Sequence, residues 1–285
     1  DKNLVTYEGF FKFYYEDAED KMYLEVKDLN KEFLYINSLA SGVGSNDIGL
    51  DRGQLGGERL VKFVKAGNKL LLIQPNLSYR ANTDNQLERR SVEQAFASSV
   101  LYGFKILEDY GDKFLIDITS FLMEDAHGVS SRLKFNKEGT YNVDLSKSAL
   151  SLDRTKAFPK NVEFEALLTF KGNPTGRNLR TVTPTANLVS VIQHHSFIEL
   201  PDNNYNSRPF DVRSGAIARS YLDYATPIQE QIKKRFIIRH RLEKKNPKAS
   251  VSEAKEPIVY YLDPGTPEPV RSGLLEGASW WNEAF

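Results

Sequence analysis

An α+β fold, predominantly antiparallel β with few helices, is what this sequence predicts, and three observations carry the prediction. Apolar and polar residues alternate with period two in one short run after another, with polar turn clusters between them. Aromatic residues are plentiful, 17 Phe and 14 Tyr, and they suit half-buried sheet faces better than helices. Helical spacing of apolar residues stands out in two segments, one internal and one at the C-terminal end.

Taken in order, Phe11, Phe13 and Tyr15 alternate with Lys12 and Tyr14, and Met22, Leu24 and Val26 alternate with Tyr23 and Glu25. The turn-like Glu16-Asp17-Ala18-Glu19-Asp20 between them makes an antiparallel hairpin. Strands are expected at 32–38, 58–65 and 69–75, the last two hinged at Ala66-Gly67-Asn68. A helix is expected over about 84–98, opened by a capping box of Thr83 and Gln86, with Val92, Ala95, Phe96 and Ser99 at helical spacing. Strands resume at 100–107 and 113–118 across Tyr110-Gly111-Asp112. Val162, Phe164, Ala166, Leu168 and Phe170 then point one way, opposite Glu163, Glu165, Thr169 and Lys171, as a half-buried strand requires. Residues 187–199 and 232–242 read as long strands, and Gly172 to Pro184 as a loop.

The end differs in kind. A polar linker, Lys244 to Glu256, leads to an expected strand at 258–262 and a turn at Asp263-Pro264-Gly265. Thr266 is placed to cap a helix beginning at Pro267, along which Val270, Leu274, Ala278, Trp281 and Phe285 form one apolar stripe. The stripe is still running at Phe285, which points to a further domain interrupted within its first helix.

Composition narrows the chemistry. With 40% hydrophobic and 27% charged residues in 285, the chain suits a folded globular protein of one large or two ordinary domains. Lys plus Arg and Asp plus Glu each total 38, so no global charge draws it to nucleic acid. No apolar run is long enough to span a bilayer, since about 18 to 20 residues are needed. The start, Asp1-Lys2-Asn3, is unlike a signal peptide and suggests a trimmed N-terminus. With no cysteine, disulfides, thiolate nucleophiles and thiolate metal ligands are excluded.

The histidines are His127, His194, His195 and His240, and none stands in an H-E-x-x-H arrangement. His194 and His195 are neighbours in an expected strand, so they point to opposite faces and do not readily chelate one ion. One of them could meet a carboxylate such as Glu199 or Asp202 in the fold. Residues 40–57 hold six glycines, without the Lys-Ser/Thr of a P-loop, the context of a Rossmann fingerprint or a G-x-S-x-G elbow. An anion cradle is one reading of this stretch; a loop crossing between strands, with Asp51 and Arg52 locally paired, is the simpler one. Residues 233–248 carry eight basic residues against Glu243, which reads as a solvated or interdomain strand face. The carboxylates are scattered, and spacing nominates no acid–base couple.

Several segments resemble one family of large bacterial zinc-dependent metalloproteases, common in Bacteroidetes-type bacteria. They are Phe33-Leu34-Tyr35-Ile36-Asn37, Gly44 to Gly57, Arg154-Thr155-Lys156-Ala157-Phe158-Pro159, and Gln193-His194-His195-Ser196-Phe197-Ile198-Glu199-Leu200-Pro201. Asp223-Tyr224-Ala225-Thr226-Pro227-Ile228, Arg239 to Lys245, and Glu256 to Asp263 complete the set. The resemblance implies uncharacterised N-terminal domains, here a mostly β region over 1–256 divisible into 1–38 and 39–256. Residues 257–285 would be the strand–helix start of a metzincin-like domain, with Trp280-Trp281 on the helix's Trp-rich face. It places the zinc ligands and the Glu base beyond Phe285, so this chain carries no catalytic, metal or cofactor-binding residue of its own. Zinc is expected in the downstream protease domain alone. The implied role is a prodomain, scaffold or interaction domain whose partner is that protease domain, the alternative being a peptide- or glycan-binding module; a hydrolase built from scattered carboxylates ranks last. Nucleic acid and a membrane span are not expected. The implied setting is periplasmic, outer-membrane-associated or secreted.

Overall fold

The computed structural model describes residues 4–283, so Asp1-Lys2-Asn3 and the stripe residue Phe285 lie outside the described residues. The chain divides into two compact units. One runs to Asn203 and includes Tyr221–Lys233; the other comprises Asn204–Ser220 and the residues from Lys234 onward.

The first unit contains β1 (Leu4–Tyr7), β2 (Lys12–Glu16), β3 (Lys21–Val26), β4 (Glu32–Ser41), β5 (Leu55–Ala66), β6 (Lys69–Gln74) and β7 (Tyr79–Arg80). After α1 (Gln86–Ala95) come β8 (Ser99–Asp109), β9 (Phe114–Asp117), α2 (Thr119–Leu122), α3 (Val129–Phe135) and β10 (Gly139–Val143). The series ends with β11 (Ala149–Phe158), β12 (Asn161–Pro174), α4 (Arg177–Val182) and β13 (Leu188–Glu199). All of these strands except β7 join one antiparallel sheet ordered β1-β2-β3-β9-β8-β6-β5-β4-β13-β12-β10, with β11 also paired to β12. The predominantly antiparallel α+β fold read from the alternation is the fold that forms.

Register shifts interrupt the ladders of β4 with β5, β13 with β4, β6 with β8, β8 with β9 and β11 with β12. Each such irregularity sharpens the local twist, and the sheet curls until its two ends share a core. Phe13 on β2 lies 4.8 Å, ring to ring, from Phe164 on β12. The Phe10 amide donates to the Phe158 carbonyl at 2.8 Å. Inside the curl Phe33, Phe63, Phe104, Phe121, Phe164 and Phe197 are buried together. A second apolar cluster covers the other half of β12 and β13: Leu168, Phe170, Val189 and Val191 pack under α3, α4 and the loop carrying Ile48 and Leu50.

Local expectations shift where distant groups intervene. The internal helix opens at Asn85, whose Oδ1 accepts from Leu87 N at 3.0 Å; Thr83 Oγ1 accepts from Asn85 N instead, and Ser99 begins β8. The expected loop at 172–184 contains α4, because the Glu138 carboxylate accepts from Leu179 N at 3.0 Å from far along the chain. α3 likewise has no local sequence signal; the Asp125 carboxylate accepts from the amides of Gly128, Val129 and Ser130 and so caps it.

In the second unit, β14 (Ala218–Asp223) begins and then continues into the first unit, where Leu222 and Asp223 lie parallel to Tyr79 and Arg80. The expected strand at 232–242 is shorter, β15 (Lys233–Ile237), whose Arg235 carbonyl and Ile237 amide bond Phe210 and Arg208. No strand forms at 258–262, and Val259, Tyr260 and Tyr261 are exposed. The last helix, α5 (Val270–Ser279), starts three residues after Pro267 and passes into a 3₁₀ turn at Trp280–Glu283. The Arg271 amide nonetheless donates to the Pro267 carbonyl at 2.9 Å, so the first helical turn reaches back to that proline. Thr266 closes the preceding turn, its amide donating to the Asp263 carbonyl.

Candidate functional site

The most concentrated polar chemistry lies on β13, where Gln193, His194, His195 and Ser196 alternate between the sheet's two faces. His195 pairs with Phe164 on one side and Asn37 on the other, within the curl; His194 pairs with Glu165 and Ser38 on the opposite face.

On the inner face Tyr35, Asn37, Gln193 and His195 are all buried at the seam between the two apolar clusters. Gln193 Oε1 accepts from the His127 amide at 2.9 Å, and its Nε2 donates to the Glu124 carbonyl at 2.8 Å. That orientation presents a donor to His195 Nε2 at 3.0 Å, so this nitrogen accepts and the ring proton sits on Nδ1, donating to Tyr35 Oη at 2.9 Å. Complete burial holds His195 neutral, with a pKa lowered to about 3. Asn37 Oδ1 accepts from Gly57 N and from Arg59 Nη1, both at 3.1 Å, leaving its Nδ2 to donate to His127 Nδ1 at 3.3 Å. His127 therefore carries its proton on Nε2, facing Gln54 Oε1 at 3.4 Å, and burial lowers its pKa too. Burial and neutral tautomers make this a tie between loops, not an acid–base relay.

The glycine-rich loop is anchored by the same network. The amides of Val43, Ile48, Gly49, Gly53 and Gln54 donate to carbonyls of the chain, and Gly57 N donates to Asn37. An anion cradle needs such amides unengaged, so the loop serves packing. Its glycines fit that role: a Cβ on Gly42 would lie 2.3 Å from the Leu50 carbonyl, and Gly53 adopts φ +81°.

On the outer face His194 is gripped from both ends. Its Nε2 lies 2.7 Å from Glu163 Oε2 and its Nδ1 3.1 Å from Glu165 Oε1. Ser196 Oγ donates to the same Glu163 oxygen, and Asn161 Nδ2 donates to Glu163 Oε1 at 2.5 Å. Burial opposes charge on the ring, but hydrogen bonds and attraction to both glutamates outweigh it and raise the His194 pKa. Burial likewise opposes the Glu163 charge; bonds from His194, Ser196 and Asn161 outweigh it and lower the pKa. The serine bonds the glutamate rather than the imidazole, so no nucleophile is activated. The carboxylates occupy opposite ring nitrogens and cannot share one ion with the histidine. Among the described residues no group of three or more His, Cys, Asp or Glu is arranged to hold a metal.

His194 thus meets Glu163 and Glu165 rather than Glu199 or Asp202. The signal was present as two period-2 stripes, Glu163/Glu165 and His194/Ser196, but only the β12–β13 register joins them. His240 is exposed in the second unit. There the basic stretch is braced by aromatics, Arg235 lying 3.9 Å over the Phe210 ring and Arg239 5.0 Å over Tyr205. A cavity of about 120 Å³ beside the β1–β2 turn is lined by Phe10, Phe11 and Phe33; its Lys27 and Lys31 face Glu25 and Asp28 at 3.5 Å.

No described helix is long and apolar enough to cross a membrane. No curated protein and no solved structure matches the chain. One family model, described as a domain of unknown function (DUF5118), matches residues 1–42. A second, described as a domain of unknown function (DUF5117), matches residues 53–245, more than half of the chain and the span that contains all four histidines. The chain belongs to the DUF5117 family.

Proposed function

We propose that this chain is a non-catalytic region of a zinc-dependent metalloprotease of the periplasm, outer membrane or secreted space, a scaffold on which the protease domain is seated. The observation that carries the reading is the uncovered apolar run at the C-terminal end. Val259, Tyr260, Tyr261, Val270, Leu274, Leu275, Trp280 and Trp281 are all exposed within 23 residues, with Tyr261 at 93%. Covering such side chains is worth roughly 1.5–3 kcal/mol each, which favours a standing partner over solvent. The polar clusters of the first unit point the same way, because their donors and acceptors are engaged within the fold and offer no reacting group.

The two tryptophans of the chain are Trp280 and Trp281, so indole fluorescence reads this segment alone. In the isolated chain their emission should be that of solvent-exposed indole and open to acrylamide quenching. In the full-length protease, with any other tryptophan replaced by Phe, emission should shift to the blue and quenching should fall. Unchanged emission and quenching would refute the seating. Deleting residues 1–256 from the full-length protein separates the roles: loss of protease folding supports the scaffold, whereas a change of substrate range alone would favour a peptide- or glycan-binding module.

A further inference from the structure

The outer-face cluster has a property that packing alone does not require. Glu165 is only 2% exposed and lies under β11 at the place where that strand's register shifts, between Ser151 and Lys156. Ser151 Oγ is 3.5 Å from Glu165 Oε2, Thr155 Oγ1 accepts from the Glu165 amide at 3.3 Å, and the Thr155 hydroxyl donates to the Ser151 carbonyl at 2.7 Å. His194 is the cation that bonds this covered carboxylate, and through its other nitrogen it also holds Glu163. A carboxylate taken out of water is tolerated when paired and is costly once its partner is lost.

We propose that Glu163, His194 and Glu165 form a proton-operated latch: while His194 is charged it holds the β11 bulge at 152–155 down over Glu165, and when His194 loses its proton the bulge lifts and water reaches the carboxylate. The other charged groups on this face do not replace the imidazolium. On β11, Lys156 stands opposite Glu163 rather than Glu165, and Asp153 and Arg154 are exposed within the bulge. On β4 the facing residues are Ser38 and Ile36, both uncharged. Beyond them Glu58 on β5, paired with Ile36, is itself an acid.

The direction with pH follows from the two shifts. The His194 pKa is raised above its ordinary 6.5, so the clamp's contribution is complete below 6.5 and is lost as pH rises through the folded value. The Glu163 pKa is lowered below 4.5, so its contribution is present above 4.5 and is lost as pH falls through its folded value. The latch therefore opens on the alkaline side, as pH rises through the folded His194 value; on the acid side His194 keeps its charge and only the Glu163 end of the clamp is lost.

Two measurements on the whole chain test this. Titration of the His194 ring by NMR should give a midpoint above 6.5. Amide hydrogen exchange at Glu165, whose amide donates to Thr155 Oγ1 in the bulge, corrected for intrinsic base catalysis, should rise about tenfold or more across that midpoint as the bulge opens locally. Glu163→Gln, which keeps the size of a side chain at the partly exposed end of the clamp, should lower the midpoint and move the exchange step with it. His194→Gln should remove the step and leave the Glu165 amide fast-exchanging throughout. A wild-type midpoint at or below 6.5, or Glu165 amide protection that ignores the His194 titration, would overturn the latch. Should His194→Gln fail to fold, wild type and Glu163→Gln alone decide the matter.

Discussion

Replacing Gln193 with Met tests the inner-face network at its most connected point. Methionine matches glutamine in length and keeps the buried volume, so the change is in polarity. Three groups lose their partner: the His127 amide, the Glu124 carbonyl and His195 Nε2. Leaving one buried donor or acceptor unsatisfied costs roughly 1–3 kcal/mol. His195 is wholly buried, while His127 and Glu124 sit on a loop that can shift toward water. The full penalty therefore applies to His195 and a partial one to the others, a total of about 3–5 kcal/mol. Urea unfolding followed by far-UV circular dichroism should show a lower midpoint with an unchanged slope. His195 should also lose its preference for the Nδ1–H tautomer, which ¹⁵N shifts of the ring report. A loss under about 1 kcal/mol, with the His195 tautomer unchanged, would refute the hydrogen-bond assignment and the reasoning built on it.

Other outcomes follow from the same structure. Phe121 touches the rings of Tyr35, Tyr102, Phe104, His195 and Phe197, so Phe121→Ala should cost about 3–5 kcal/mol and loosen the seam. Gly42→Ala places a methyl 2.3 Å from the Leu50 carbonyl, and it should lower the melting temperature and speed amide exchange through residues 43–54. The dialysed chain should hold no stoichiometric zinc by elemental analysis, because the described residues lack a three-ligand group; one tightly held zinc per chain would show the reading of the histidines to be mistaken.

Much of the fold was legible because strand patterning is local. The alternation in Phe13–Tyr15, Met22–Val26 and Val162–Phe170 arises from a two-residue repeat, and each of these runs buries the apolar residues its pattern indicated; the expected half-burial fails where neighbouring strands and side chains also cover Tyr23, Glu25, Glu165 and Thr169 on the other face. Helix boundaries were less legible where a side chain distant in sequence supplies the cap. Glu138 bonds Leu179 N across 41 residues, and nothing near Arg177 announces a helix. At the C-terminal end the pattern 258–262 suits a strand, but a strand requires a neighbour, and none lies beside it among the described residues.

The candidate site divides along the same line. The sequence by itself determined that His194 and His195 face opposite ways, that no H-E-x-x-H motif is present, and that the glycine-rich stretch lacks a phosphate-loop signature. Those conclusions rest on spacing within one segment. Only the tertiary structure decided that His194 meets Glu163 and Glu165 while His195 meets Tyr35 and Gln193. Strand register is set by the combined burial of many side chains, and a slip of one residue would have turned both glutamates inward. A charge's partner, and hence its protonation, belongs to that register and not to either strand alone.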